Sequence, residues 1–216
     1  MKKETEKILV LGVLFIFPVF IYLFFASGKN NFAKLPVLTT NVFEVSDFTS
    51  LNGKDVSLKG HITVLCYWGS DISLKKGEAF NLNQKIYKRF YKFKDFQFVI
   101  LITEDQEDEV MGLKEELKSG VGTDLINWKF LKGSVNAIHK HFLSLNAPLN
   151  LDSKNSSPYA FIIDRNLNLR GRDDDDIGTL YGFDARSVAE INNKMEDDIK
   201  VILAEYRLAL KKYSIR

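Results

Sequence analysis

Cysteine is nearly absent from the sequence: Cys66 is the only one among 216 residues. A single thiol excludes an intramolecular disulfide, a structural zinc site with four cysteines and any redox motif that needs two cysteines. Histidine is also scarce, with three residues, so a serine nucleophile has few imidazoles that can serve as its base. An excess of one charge is missing too, because 30 lysines and arginines face 28 aspartates and glutamates, for a formal net charge of +2. So small a surplus gives no case for nucleic-acid binding through the phosphate backbone.

What the sequence does contain is one long uncharged segment near its N-terminus. Ile8 to Ala26 is the run ILVLGVLFIFPVFIYLFFA, 19 residues without a charge. A helix of that length spans about 28 Å, close to the hydrocarbon thickness of a bilayer. Pro18 lies inside this run; it would break a soluble helix but is tolerated in a membrane helix. The segment therefore predicts a transmembrane anchor at residues 8–27.

Lysines on the N-terminal side predict the orientation of this anchor. Lys2, Lys3 and Lys7 precede the apolar run, and the positive-inside rule then places residues 1–7 in the cytoplasm and the rest of the chain outside. We expect a single-pass protein of the cell (inner) membrane with an extracytoplasmic, periplasmic domain. The alternative is a cleaved signal peptide, because Ala26-Ser27-Gly28 resembles a small-residue cleavage site, although the apolar run exceeds the usual length in signal peptides.

Composition and pattern predict one α/β domain after the anchor. Hydrophobic residues make up 45% of the chain and charged residues 27%, which is typical of a globular protein. We predict a linker at residues 28–41 and the domain at residues 42–216. Continuous apolar runs at Ile62–Trp68 and Phe96–Ile102 are typical of strands buried on both faces. Val56–Leu58 alternates as a short strand.

Helices and a hairpin complete this domain. Apolar residues recur at three- and four-residue spacing after the first run and again from Ile191 to Leu210, which predicts amphipathic helices. Ser134 is a candidate N-cap for another helix. Tyr159–Ile163 and Leu167–Arg170 flank a polar turn and predict a hairpin. Strands that alternate with helices and end in a hairpin and a helix predict a three-layer α/β domain with a mixed central sheet.

This order of elements, with Pro158 directly before the hairpin strand, resembles the thioredoxin fold, in which the peptide bond before that proline is cis and lies beside the redox site. Two stretches resemble the SCO/SenC proteins in particular: Trp128–Gly133 (WKFLKG) is similar to their W-x-F-L-x-G element, and Phe161–Gly171 to their hairpin. A single N-terminal anchor with a domain outside is also that family's layout. The resemblance implies a thioredoxin-like domain, copper as cofactor and a role in the assembly of respiratory copper oxidases.

The chain departs from that family at all three copper ligands. SCO proteins have a C-x-x-x-C pair just after the first core strand and a histidine shortly before the hairpin strand, and these soft thiolates and imidazole suit copper. Here Trp68–Lys75 is WGSDISLK and Asn155–Pro158 is NSSP. Neither stretch contains a cysteine or a histidine, so none of the ligand roles can be carried over. Copper is implied here by the resemblance alone.

Cys66 is the candidate nucleophile that is left, and it lies inside the first core strand. Free cysteine is among the most buried residue types, so we expect a buried hydrophobic side chain, and a lone reactive thiol is the alternative. Ser70, Asp71 and Ser73 lie in the turn where catalysis occurs in related proteins, but we expect Asp71 or Ser73 to cap the following helix.

His139 and His141 are the candidate metal ligands, but they are two residues apart on a predicted helix. Such side chains point about 200° away from each other, unlike an i, i+4 pair, so they do not readily chelate one metal. We expect both to be surface histidines; one of them could hold copper weakly together with a partner's ligand. The four carboxylates of Asp173–Asp176 predict a solvated loop.

The sequence thus favours a membrane-tethered SCO/SenC-like protein that has lost its dithiol and copper chemistry and acts by binding an extracytoplasmic or respiratory-complex client. The predicted partner face is the degenerate active-site loop with the nearby proline: Trp68, Gly69, Ser70, Asp71, Ser73 and Pro158. Two alternatives stay open. One is a thiol-disulfide oxidoreductase or peroxidase that uses Cys66, and the other is a copper carrier with unconventional ligands.

Overall fold

The computed structural model describes residues 2–27, 34–122, 124–176 and 178–214. It divides into two compact units, Met1–Ala33 and Lys34–Arg216. The first contains one helix, α1 (Lys2–Ser27), with Pro18 inside it. Its segment Glu4–Phe24 is long and apolar enough to cross a membrane. This length and composition are what the predicted anchor requires.

The second unit is built on a mixed sheet. Its strands are β1 (Val37–Thr39), β2 (Thr49–Ser50), β3 (Ile62–Gly69), β4 (Phe96–Thr103), β5 (Trp128–Gly133), β6 (Tyr159–Ile163), β7 (Leu169–Arg170) and β10 (Phe183–Asp184). Their order is β1-β7-β6-β3-β4-β5-β2, with β10 beside β6. The central strand β3 pairs in parallel with β4 and antiparallel with β6. A separate hairpin is formed by β8 (Arg172–Asp175) and β9 (Gly178–Leu180).

Helices cover both faces of this sheet. They are α2 (Lys76–Leu82), α3 (Lys88–Phe90), α4 (Glu107–Val121), α5 (Val135–Leu143), α6 (Val188–Glu190) and α7 (Glu196–Ser214), with π-helical turns at Asn83–Tyr87 and Ile191–Met195. The helices α2, α4 and α7 contribute to the core on one face, and α5 to the core on the other. Every residue of β3 and β4 is buried, because each strand is covered on both sides. The predicted three-layer thioredoxin-like architecture is confirmed.

The domain begins earlier than the predicted boundary at residue 42. Val37–Thr39 lies in the predicted linker but forms β1 and pairs with β7. Just before it, the Leu35 N–H donates to Glu205 Oε1 at 2.7 Å, and the Leu35 side chain is buried. A strand of three residues is too short to show an alternating apolar pattern, and the polar residues around it indicate a linker instead.

Two further local predictions were wrong. Val56–Leu58 is not a strand, because the N–H groups of Leu58 and Lys59 donate to the Glu44 carboxylate and hold the segment as a loop. Asp173 and its neighbours, predicted as a loop, form β8, whose partner β9 satisfies the backbone. The carboxylates there still face solvent or basic partners, as with Asp175, which accepts from Lys194 Nζ at 2.7 Å.

Candidate functional site

The structure brings the predicted turn and the predicted proline loop together at the C-terminal end of β3. We call residues 69–75 the β3–α2 turn and residues 152–158 the Pro158 loop. Gly69 has φ +59°, and a Cβ on it would lie 2.0 Å from the Lys154 carbonyl oxygen, so only glycine allows this approach. The Ser70 N–H donates to the same carbonyl at 3.0 Å, and the Ser157 N–H donates to the Tyr67 carbonyl at 2.8 Å.

The Pro158 loop is internally ordered by one carboxylate. Asp152 accepts hydrogen bonds from the N–H groups of Lys154 and Ser156 and from the Ser156 hydroxyl. Burial raises the pKa of Asp152, but the hydrogen bonds from Ser156 and Lys154 outweigh it, so the pKa lies below its usual value. His139 Nε2 lies 2.8 Å from Asn155 Oδ1 and ties the loop to α5.

The bond before Pro158 is trans, since no cis peptide bond occurs among the described residues. This differs from the cis bond implied by the resemblance, and trans is the isomer that an X–Pro bond prefers.

The hydroxyls and carboxylate of the turn do not have the predicted capping role. Asp71 lies at the N-cap of the 3₁₀ turn Ile72–Lys75 but makes no side-chain capping bond. Its Oδ1 instead accepts from the Ser73 hydroxyl at 2.7 Å, so this oxygen is already engaged in a bond within the turn. At Ser134 the corresponding prediction is confirmed, because its hydroxyl oxygen accepts from the Ala137 N–H.

Trp68 belongs to the core and not to the exposed partner face predicted for it. Its side chain is 1% exposed and packs against Trp128 and Phe130, with ring centroids 5.9 Å apart in each case. It therefore supports the turn from within the domain. The large apolar side chain that the turn presents to solvent is Leu74, which is 72% exposed.

Cys66 is buried, as expected from its place in β3. It is 1% exposed, and burial, together with the negative charge of Glu78, raises the pKa of its thiol far above the ordinary value. The thiolate is the nucleophilic form of cysteine. A raised pKa and a covered sulfur both oppose the use of Cys66 in catalysis.

His141 contradicts the prediction of a surface histidine. It is 2% exposed, and its Nδ1 lies 2.7 Å from the Tyr67 hydroxyl. Burial lowers the pKa of His141 to about 4, against smaller raising effects of the Phe43 backbone and nearby carboxylates. The spacing could have shown this, because His141 lies three residues after Ile138 and next to Phe142, on the apolar face of the helix. His139 is exposed, and the two imidazoles form no pair.

A buried ion pair that was not among the predicted site residues lies beneath the turn. Lys75 and Glu78 are 7% and 6% exposed, and Lys75 Nζ lies 3.0 Å from Glu78 Oε1. Lys75 Nζ also donates to the Ser157 carbonyl at 3.4 Å. The signal was available: Lys75 falls between Ile72 and Ala79 at three- and four-residue spacing, which places it on the buried face.

Copper of the SCO type does not fit these residues. The turn and the Pro158 loop offer serine hydroxyls and aspartate carboxylates, whereas Cu(I) favours thiolate and imidazole. Among the residues that the structure describes, no group of three or more histidine, cysteine, aspartate or glutamate side chains is placed to hold a metal.

An apolar cleft of about 200 Å³ lies elsewhere, lined by Ile62, Phe93, Leu203 and Tyr206 with basic residues around them. It includes Ile62, at the other end of β3 from the turn, and none of the residues predicted for the site lines it. It gives no reason to move the candidate site.

Comparison with known proteins identifies the fold. No protein-family model matches the chain, and no curated protein matches it in sequence. Among solved structures it is similar to BsSco, a member of the Sco family of cytochrome c oxidase assembly proteins, with a TM-score of 0.50 and 16% identity over 77% of this chain and 94% of that one. It is similar also to a candidate protein disulfide isomerase from Bacteroides thetaiotaomicron, with a TM-score of 0.50 and 14% identity over 80% of this chain and 95% of that one. Both similarities show a thioredoxin-like fold.

Proposed function

We propose that the chain is a membrane-anchored, extracytoplasmic protein of the Sco type that acts by binding an assembly client of a respiratory copper oxidase. The binding face is formed by the β3–α2 turn and the Pro158 loop. One observation carries the proposal: the two segments lie together as in a thioredoxin-like active site, yet their residues supply neither a thiol nor an imidazole. A recognition surface with that geometry can still serve binding.

The chemistry of Cys66 supports a binding role over an enzymatic one. Dithiol exchange needs two cysteines, and the sequence has one. A single-thiol peroxidase needs an accessible thiolate, whereas Cys66 is 1% exposed with a raised pKa. Neither reaction is favoured by the surroundings of this residue.

The resemblance supports the proposed client, and the anchor supports the proposed location. BsSco is described as belonging to a family that assembles cytochrome c oxidase. Helix α1 has the length and composition of a membrane span, and the lysines before it favour a cytoplasmic N-terminus. A tethered domain outside the membrane would meet the extracytoplasmic parts of such a client.

Photo-crosslinking in intact cells tests the proposal. A photoreactive amino acid at Ser70, in the turn, is compared with the same amino acid at Ile126, which is 66% exposed and lies outside the turn and the Pro158 loop. We expect an adduct with an oxidase subunit or a cofactor-assembly protein from Ser70 and none from Ile126. Equal adducts from both positions, or turnover of a disulfide substrate by the wild-type protein, would contradict the proposal.

A further inference from the structure

Two buried charges lie directly behind the proposed binding face. Lys75 is the last residue of the 3₁₀ turn, and Glu78 lies one turn further along, in α2. Both partners of this ion pair are buried, with side chains 9% and 8% exposed. A buried ion pair is weak evidence for stability, because desolvating both charges can cost as much as their attraction returns. The Lys75–Glu78 ion pair is therefore better considered for a role in holding a neighbouring segment in place.

The second contact of Lys75 suggests what it positions. Its ammonium donates to the carbonyl of Ser157, the residue directly before Pro158, at 3.4 Å. One side chain thus joins the turn, from which it extends, to the loop on the other side of the face. Among the described residues, the other hydrogen bonds between the two segments run from the N–H and the hydroxyl of Ser70 to the Lys154 carbonyl.

Glu78 is committed to Lys75. Its Oε1 accepts from Lys75, and its Oε2 is buried without a hydrogen-bond partner among the residues that the structure describes. Burial raises the pKa of Glu78, while Lys75 and the more distant Arg186 lower it in part. Without this carboxylate, the buried Lys75 ammonium would lose its ion-pair partner, and its long side chain would turn toward solvent.

We infer that Lys75, oriented by Glu78, is a positioning residue that fixes the Pro158 loop against the β3–α2 turn and so presets the shape of the binding face. The inference rests on the proposed function, because it concerns the same face. The Lys75–Glu78 ion pair thereby links two segments that lie beside the redox site in related folds. A preset face binds without the entropic cost of ordering its loops.

Local hydrogen exchange in the full-length protein in lipid nanodiscs is the test. Lys75→Met removes the donor while keeping an apolar side chain of similar length. We expect amide exchange in residues 152–158 to rise about tenfold, the effect of losing one hydrogen bond to a charged group. Lys76→Met is the matched control, because the neighbouring Lys76 pairs with Glu116 at the surface, with side chains 48% and 46% exposed. It should change this exchange by less than about twofold.

A double variant separates positioning from simple stabilisation. Lys75→Met with Glu78→Leu replaces the ion pair by apolar groups, which restores or improves global stability when buried charges are exchanged for apolar packing. The Ser157 carbonyl still lacks its donor, so exchange in the Pro158 loop should stay about tenfold faster than in the wild type. If loop protection returns together with global stability, or if Lys75→Met leaves the loop unchanged, the inference is overturned.

The test needs no partner, so its failure is separate from that of the proposed function. Unchanged loop exchange beside a specific crosslink from Ser70 would remove the positioning role and leave the binding function. Faster exchange in the Pro158 loop without any crosslinked client would support the positioning role and remove the binding function.

Discussion

Cys66 and His141 are the side chains whose residue types suggest chemistry, and they lie on opposite faces of the sheet. Cys66 packs in the core beneath α2, α4 and α7. The next residue, Tyr67, points to the other core, where it contacts His141. Successive side chains of a strand alternate between faces. The Cys66 thiol and the His141 imidazole that contacts Tyr67 therefore lie on opposite sides of β3 and cannot act on one substrate.

Cys66 should resist alkylation in the folded protein. Because its sulfur is buried and burial raises its pKa, iodoacetamide at pH 8 should modify it only when the domain unfolds. The measurement is intact mass after timed labelling, with and without guanidinium chloride. Rapid labelling without denaturant would favour the single-thiol enzyme instead.

His141 should make the domain less stable in acid. Its pKa is about 4 in the folded protein against 6.5 for the ordinary group, so between these values the unfolded chain binds a proton that the folded chain does not. The contribution of His141 to the free energy of unfolding should therefore be constant above pH 6.5 and fall by about 3 kcal/mol as the pH drops from 6.5 to 4. Urea denaturation at a series of pH values measures this fall.

Two histidine variants identify the source of that pH dependence. His141→Gln should flatten the curve between pH 6.5 and 4 relative to the wild type, although it lowers stability at pH 7 by disturbing the bond to Tyr67. His139→Gln, the same substitution at the exposed histidine of this helix, is the matched control with which the His141→Gln curve is compared. Parallel curves for the wild type and His141→Gln would refute the account of this residue.

At the scale of elements, long patterns were predictable and short ones were not. β3 and β4 are mostly apolar strands of eight residues in which every position is buried, and a segment of that composition and length is typical of a strand covered on both faces. β1 has three residues, and its place in the sheet depends on β7, which follows it by some 130 residues. No local pattern contains such a pairing.

The proximity of the β3–α2 turn and the Pro158 loop was predictable, but the side-chain contacts between them were not. The resemblance placed Ser70 and Pro158 in one face, and the hydrogen bonds between the two segments agree. Which side chains lie behind that face depends on which side of β3 Trp68 points to and on the rotation of the helical turn that carries Lys75, and neither is fixed by the local sequence. Helical spacing from Ile72 to Ala79 favours a buried Lys75, but a lysine on an apolar face is ordinarily taken to be solvated.

Gly69 should be intolerant of substitution because the turn passes so close to the Pro158 loop. Its φ is +59° and an added Cβ would meet the Lys154 carbonyl, so Gly69→Ala should lower the free energy of unfolding by about 2 kcal/mol or more. Chemical denaturation gives the value.

Gly77 in α2 provides the opposite case. A Cβ there has no neighbour within 4 Å, so Gly77→Ala should stabilise the protein by about 0.5–1 kcal/mol through helix propensity. Equal effects of the two substitutions would mean that the contact between turn and loop is not made.

At the scale of the whole molecule, the chain combines an apolar helix with a domain that has its own core. The helix exposes its large side chains, and the domain from Lys34 onward is a compact unit. The orientation rests on Lys2, Lys3 and Lys7. Proteinase K added to spheroplasts should therefore digest the domain, while a cytoplasmic marker stays intact. Protection of the domain until the membrane is lysed would reverse the proposed topology.

Copper binding tests most directly the claim that the proposed binding face works without the copper chemistry that the resemblance implies. The full-length protein in nanodiscs is titrated with Cu(I) against a competing chelator, beside a Cys66→Ser variant. Because the turn and the Pro158 loop supply oxygen ligands and Cys66 is buried, we predict no binding above the chelator's threshold for either protein. Tight one-to-one binding that is lost in Cys66→Ser would contradict the account and establish a copper carrier with unconventional ligands.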